Sequence, residues 1–296
     1  MIVVTAPTGQ IGSKLVQQLL AQHGEVRVVV RDASRLAADV RERVQVVEGS
    51  HGDRATLDRA LSGADAMFWL VPPNPAAPST DEHYLAFAEA ARDAIARGGG
   101  VGHVVGVSSA GHGWPKPAGV LSSAFAMDAE LGRSGAAYRA LSMPFYMENL
   151  LRQLDGILTR GTFSLTAAPD APFATVATKD IAQTAADLLA DLNWSGQENV
   201  PVFGPDRLTP DEMASVMSEE LGRSVTYRRM SIEETVAMLR GAGASERTVL
   251  DNIDVATALD EGIYDADWSR ARSTATDFRS WCREVLVPLA AERAAA

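Results

Sequence analysis

The residues best placed to do chemistry flank the first strand–helix–strand stretch. Gly9 and Gly12 lie in Met1–Gly12 (MIVVTAPTGQIG), and Arg31 follows the apolar run Glu25–Val30 (EVRVVV). A glycine-bearing turn between strand and helix lets the backbone approach a pyrophosphate and sets that anion at a helix N-terminus. Gly9 would admit the pyrophosphate and Gly12 would let the helix pack closely on the strand, so Thr8, Gly9, Gln10, Ile11 and Gly12 form the candidate cradle. Arg31 stands about 20 residues beyond the turn, where an acidic residue meets the ribose hydroxyls of NAD and an arginine accommodates the 2′-phosphate of NADP. A guanidinium grips phosphate through two hydrogen bonds, so Arg31, with Arg35 as a second clamp, points to NADP(H) over NAD(H). The plainer alternatives are an ordinary glycine turn and an exposed surface arginine. Asp32 is expected to cap the next turn. The usual first glycine is replaced by Ala6, followed by Pro7. Proline pushes the residue before it toward extended backbone, so the turn is expected to form without a left-handed residue at position 6.

The elements that must carry these residues alternate. Ile2–Val4 and Glu25–Val30 are β-branched runs, and Ile11, Leu15 and Leu19 recur at helical spacing between them. Val44–Val47 is a third strand, and Asp53 an N-cap for a helix over Arg54–Leu61. Ala64–Val71 is nearly all apolar, as parallel strands buried on both faces are. Its end, Val71-Pro72-Pro73, lies on the edge where α/β sheets bind ligands, or is simply a rigid connector. Ser79-Thr80-Asp81-Glu82 opens a helix to about Arg97. His103–Val107 is a fifth strand running into Ser108-Ser109, followed by a helix near Ala124–Gly132 and a strand near Tyr138–Leu141. The alternation predicts an α/β fold, a Rossmann-type doubly wound parallel sheet.

After Asn149 the pattern changes to mixed elements: strands at Thr162–Leu165, Asn199–Phe203 and Val225–Arg229, and helices at Asp180–Leu192, after Thr209-Pro210-Asp211-Glu212 and after Ser231. These predict a smaller α+β substrate lobe. The expected division is 1–150 for the NADP(H)-binding domain, which also receives about 174–203, and 151–296 mainly for the lobe.

Composition narrows the function classes. The chain has 296 residues, 46% hydrophobic and 22% charged, with net charge −11. That balance argues against nucleic acid or an anionic membrane surface as partner. The single cysteine, Cys282, allows no internal disulfide and reads as a packing residue. His23, His51, His83, His103 and His112 lack metal-ligand spacing, so no metal is expected. The first strand starts at Met1, so no signal peptide is expected, and no apolar run reaches spanning length. A cytoplasmic protein acting on a small-molecule substrate is expected, with a homodimer as a possible assembly.

In the order of its motifs the chain resembles the NmrA-like branch of the short-chain dehydrogenase/reductase superfamily. Thr5–Gly12 is similar to that branch's glycine motif, with Ala6 departing from it. Ser142–Asn149 (SMPFYMEN) resembles its R-P-x-x-F-x-x-N segment, with Met143 where arginine is common; Ala174–Asp180 and Gly204–Arg223 resemble its later segments. The resemblance implies that the lobe closes over the nicotinamide end of the cofactor, bordered by Pro144, Phe145 and Tyr146. It places Ser50 where the family usually carries an aspartate near the adenine amine. It sets Ser108 against the nicotinamide as a polarising hydroxyl, with a self-bonding turn serine as the alternative. The usual Tyr-x-x-x-Lys pair would fall on Val120 and Ala124, neither of which donates a proton.

Of the remaining groups Tyr146 is the first candidate proton donor, Ser108 the second and His112, otherwise an exposed loop histidine, the third. Tyr84 reads as a packing residue. The expected function is NAD(P)H-dependent reduction of a small carbonyl, enone or quinone. The alternatives are an NADP(H)-binding redox-sensing regulator without turnover and a non-redox biosynthetic enzyme on the same fold.

Overall fold

Successive residues of a strand point to opposite faces, and here both faces are apolar, so the central sheet can be stable only between two helical layers. A computed structural model describes residues 1–22, 24–98 and 100–295; His23, Gly99 and Ala296 lie outside them. The strands are β1 (Ile2–Thr5), β2 (Val26–Val30), β3 (Gln45–Glu48), β4 (Ala66–Trp69), β5 (His103–Ser109), β6 (Ala137–Met143), β7 (Phe145–Tyr146), β8 (Thr162–Leu165), β9 (Phe173–Val176), β10 (Gln197–Phe203), β11 (Arg207–Leu208), β12 (Thr226–Arg229) and β13 (Arg272–Ser273). The helices are α1 (Gly12–Ala21), α2 (Ala38–Arg41), α3 (Arg54–Leu61), α4 (Thr80–Ala96), α5 (Val120–Gly132), α6 (Leu154–Arg160), α7 (Thr178–Ala190), α8 (Pro210–Leu221), α9 (Ile232–Gly241), α10 (Glu246–Asp260), α11 (Asp265–Trp268), α12 (Phe278–Trp281) and α13 (Val287–Ala295).

The main sheet has eight strands in the order β13-β10-β6-β5-β4-β1-β2-β3, all parallel. On one face Val4, Val28, Phe68, Val105 and Leu141 pack against Leu15 and Leu19 of α1 and Ile181 and Ala185 of α7. On the other, Val3, Val29, Met67, Trp69 and Val104 pack against Leu57 of α3, Ala91 of α4 and Met127 of α5. Each fully buried aliphatic contributes about 1.5–3 kcal/mol, so the two layers hold the sheet from both sides. The later chain forms two small sheets, β11-β9-β7 and β12-β8, over a separate core of Met147, Phe163, Met217 and Trp281. It rejoins the main sheet at β10, beside β6, and again at β13.

Caps behave as their sequences require. Asp53 accepts the Thr56 N–H, and the Thr209/Glu212 and Ser231/Glu234 pairs form reciprocal capping boxes. Some boundaries differ from expectation. β5 runs through Ser109, two residues past Val107, because its partner β6 also extends, pairing Ser108 with Ser142 and Ser109 with Met143. α5 starts at Val120 rather than near Ala124, directly after Gly119 turns at φ 52°. A Cβ at Gly119 would lie 1.9 Å from the Asp251 carbonyl oxygen, so the chain dives under α10 at that point and the helix begins there. Cys282 is buried, and burial pushes its thiol up to about 12, consistent with packing. Among the described residues no helix is long and apolar enough to cross a membrane, and no three His, Cys, Asp or Glu side chains are grouped to hold a metal.

Candidate active site

The turn from β1 to α1 forms one end of the site. Ala6 is left-handed, with φ 49°, the one non-glycine residue with positive φ among those described. The extended conformation expected from Pro7 is therefore overturned. The reason is a close approach further along the chain: the Ala6 carbonyl accepts the Gly9 N–H at 3.1 Å and lies against Gly12, where a Cβ would stand 2.2 Å from that oxygen. The left-handed conformation costs an alanine about 1–2 kcal/mol. Ala6→Gly relieves it and loosens the unfolded chain, so a net gain of about 0.5–1 kcal/mol is expected in urea unfolding. Unchanged or lowered stability would show that the turn is not strained.

Thr8, Gly9 and Gln10 are exposed above this turn, while Ile11 and Gly12 are buried. The N-cap of α1, Ile11, offers no side-chain cap, unlike Asp53, Ser79, Thr209, Ser231 and Ser245 at other helices. Its N-terminus is left open to an anion. Thr5 ties the turn to the end of β4: its hydroxyl accepts the Leu70 N–H at 2.8 Å and lies within bonding distance of the Phe68 and Leu70 carbonyls. Val71 is buried there and Pro72 and Pro73 are exposed.

Arg31 and Arg35 are exposed at the end of β2 and make no ion pair or side-chain hydrogen bond among the described residues. Other arginines are engaged: Arg27 by Gln45 and the Ala60 carbonyl, Arg54 by Asp93, Arg97 by Asp58. Nearby carboxylates are engaged too. Asp32 accepts from the Ser34 N–H and hydroxyl, as a cap should, and Glu48 accepts the Ala33 N–H. Ser50 Oγ accepts the Gly52 N–H at 3.1 Å, so it first serves its own turn. His51 beside it is buried edge-on to Trp69 and Phe87, with Nε2 unpartnered among the described residues. Burial, with Arg31 and His83 adding to it, brings its pKa down to about 4, so the ring is neutral. Its role was not legible in the sequence. Open helix N–H groups, two guanidinium groups unpaired among the described residues and an exposed glycine suit a phosphate-bearing dinucleotide along this edge.

The other end of the site gathers at β5 and β6. Ser108 is buried and its hydroxyl donates to Asp128 Oδ2. His112 is not the exposed loop histidine expected: its side chain is 19% exposed, with Nε2 3.0 Å from Asp128 Oδ2 and 3.3 Å from Ser108 Oγ. The ring leans on Phe125, centroids 4.2 Å apart. Tyr138 donates to Asp128 Oδ1 at 2.6 Å. Burial and the Asp128 charge push that phenol well above its ordinary value. Asp128, the hub, was missed; the signal available was a lone carboxylate in the apolar stripe Ala124, Asp128, Leu131 of α5, all three buried. Val120 opens the same helix.

Ser109 splits from Ser108 and bonds the Ala110 carbonyl, as a turn serine would. It also neighbours Tyr264, whose phenol burial pushes up to about 12. Tyr146 lies near Tyr84 and Tyr264, and burial raises it above the ordinary phenol range, which makes it a weak acid. Pro144 is buried, and Phe145 meets Phe173 edge to face at 5.8 Å. The segment is fixed behind by Glu148, whose buried carboxylate accepts the Thr178 N–H and hydroxyl at the start of α7. Two open depressions of about 440 and 480 Å³ flank α13, but their walls, among them Leu151, Asp155 and Glu220, include none of these groups.

A family model described as NAD(P)H-binding matches residues 7–192. A (4-alkanoyl-5-oxo-2,5-dihydrofuran-3-yl)methyl phosphate reductase of Streptomyces griseus is 33% identical, covering 79% of this chain and 78% of that protein. An NAD(P)H azoreductase of Xenophilus azovorans is 29% identical over 83% and 82%, and quinone oxidoreductase 2 of Escherichia coli 25% over 90% of each. The fold is shared with the solved structure of the negative transcriptional regulator NmrA in complex with NADP, at TM-score 0.73 and 18% identity, covering 100% of this chain and 98% of that one.

Proposed function

The chain belongs to the NAD(P)H-binding family, and on that premise we propose that it is an NmrA-like atypical short-chain dehydrogenase/reductase, an NADPH-dependent oxidoreductase of small conjugated acceptors, quinones or enones. The observation that carries this is the placement, on the C-terminal edge of one parallel sheet, of an open glycine turn with two free arginines at one end and a Ser108–His112–Asp128 cluster at the other. Relatives named as reductases of a dihydrofuranyl phosphate, an azo compound and a quinone support the same reading.

Thr8–Gly12 and the ends of β4 and β6 would hold the cofactor, with Arg31 and Arg35 at its 2′-phosphate. When bound, the reduced nicotinamide supplies a hydride. The chain's own work is to bind, orient and manage the proton. Val120 and Ala124 stand where the usual Tyr-x-x-x-Lys pair would be, and neither can donate. Quinones and enones suit such a site because their reduced oxygen is a weaker base than an alkoxide. The fold shared with NmrA keeps a second reading, a cofactor sensor without turnover, as the alternative.

NADPH is expected to bind more tightly than NADH, because Arg31 and Arg35 have no side-chain partner to give up among the described residues. A charge-assisted phosphate contact is worth about 1.5–3 kcal/mol, on the order of tenfold or more in affinity. Arg31→Ala should narrow the gap between the two cofactors by about that factor in calorimetric titration. Equal affinities in the native protein would remove the assignment of Arg31.

A further inference from the structure

We infer that Asp128 is the positioning carboxylate of a proton relay from His112 through Ser108, standing in for the absent Tyr-x-x-x-Lys pair; the inference rests on the reductase reading above. Three atoms form its working triangle: Asp128 Oδ2, to which Ser108 Oγ donates, and His112 Nε2, 3.0 Å from that carboxylate oxygen and 3.3 Å from Ser108 Oγ. The serine hydroxyl sits one residue before the end of β5, on the ligand-binding edge. The imidazole remains open enough to recover a proton from water. The carboxylate holds both donors.

The support for Asp128 is itself built. Its second oxygen accepts from Tyr138 at 2.6 Å, and Tyr138 has room because position 106 is glycine: a Cβ there would stand 2.1 Å from the phenol oxygen. An isolated glycine inside a strand marks such an approach. The His112 loop is pinned by the Gly111 N–H, which donates to buried Asp267 at 2.7 Å. Gly111 has φ 99°, and Ile263 occupies the space its Cβ would need. Both sides of the triangle are thus fixed by elements outside it, as a preorganised proton donor requires.

The proton step balances as follows. A bound reduced nicotinamide would supply the hydride, so the reduced acceptor's oxygen carries an electron pair that needs a proton. The Ser108 hydroxyl turns from Asp128 Oδ2 to that oxygen, its O–H bond breaks and its proton moves there. The Nε2–H proton of the His112 imidazolium moves to Ser108 Oγ, and the neutral imidazole is reprotonated from the solvent proton pool, so one solvent proton is consumed per turnover. Asp128 changes no covalent bond; its Oδ2, 3.0 Å from His112 Nε2, aligns the imidazole for the transfer.

The test pairs Asp128→Asn with Asp128→Glu and Tyr138→Phe, all checked for native circular dichroism. With NADPH and 2-cyclohexenone, Asp128→Asn should lower kcat on the order of 10²-fold, with KM and NADPH affinity little changed. With 1,4-benzoquinone, whose reduced form water can protonate, the loss should be at least about tenfold smaller than with the enone. Asp128→Glu should recover part of the enone rate, and Tyr138→Phe should lower it by less. Independently of turnover, ¹⁵N spectra of histidine-labelled protein, assigned through His112→Gln, should show the His112 Nε2 signal moving in Asp128→Asn while the other histidine signals remain. Equal losses with both acceptors, or an unmoved His112 signal, would reduce Asp128 to a structural residue and overturn the relay alone. If the native protein oxidises NADPH with no acceptor, the reductase reading falls, and the relay with it.

Discussion

Gly9→Val is expected to abolish NADPH binding while the protein keeps its native circular-dichroism spectrum. The fold should tolerate the change because Gly9 is exposed, has no positive φ, and a Cβ there would meet only the Ala6 carbonyl oxygen, at 3.4 Å, an ordinary contact. The cofactor should not tolerate it, because two methyl groups would then stand over the uncapped N-terminus of α1. An affinity loss of at least about 10²-fold, near 2.7 kcal/mol, is expected in a fluorescence titration. Gly12→Val is the control with the opposite outcome. Its Cβ would collide with the Ala6 backbone at 2.2 Å, so the turn itself must give way and stability should fall. Unchanged NADPH affinity in a folded Gly9→Val protein would take the turn out of the site; loss of the spectrum would make Gly9 structural.

The second large effect concerns acceptors. Quinones should be reduced fastest, enones next, and simple ketones slower than either by at least about 10²-fold, on the scale of general-acid effects. A ketone gives a strongly basic alkoxide, and what meets it is the Ser108 hydroxyl, resupplied through His112, beside phenols that burial has weakened; such a relay suits the weaker bases left by quinones and enones. Tyr146, the first donor suggested by its place in the sequence, is one of these phenols, raised by burial. Tyr146→Phe should therefore change quinone and enone rates little, by no more than about threefold on the scale of general-acid effects. Fast ketone reduction insensitive to Tyr146→Phe would point to a stronger donor elsewhere in the site, and collapse of every rate in Tyr146→Phe would show that the phenol is the acid after all.

What could be read from the sequence divides by how local its cause is. Strand–turn–helix order, the caps at Asp53, Thr209 and Ser231 and the burial of Ala66–Trp69 follow from residues within a few positions, and the structure places them as expected. The left-handed Ala6 was not legible, because its cause, Gly12 pressed on its carbonyl, opposes what Pro7 locally favours. Asp128 was hidden for a similar reason. On a helix surface an aspartate is unremarked; here its partners Tyr138 and Ser108 are ten and twenty residues away in sequence and meet it only once β5 and β6 pair. His112 was misjudged because a glycine-rich loop suggests exposure, whereas α11, far along the chain, ties that loop down through Asp267. Ser50, by contrast, was placed in its loop correctly, yet its neighbour His51 carries the buried ring against Trp69.

The central claim, that this edge binds NADPH and delivers its reducing power to a small conjugated acceptor, is tested most directly by mixing the native protein with NADPH and 1,4-benzoquinone. The absorbance of the reduced nicotinamide is followed, with calorimetric NADPH binding measured on the same preparation. The account predicts tight binding together with NADPH loss that rises in proportion to protein and disappears in Gly9→Val. Tight binding with no oxidation by benzoquinone or by any enone would contradict it and make the chain a sensor of the cofactor.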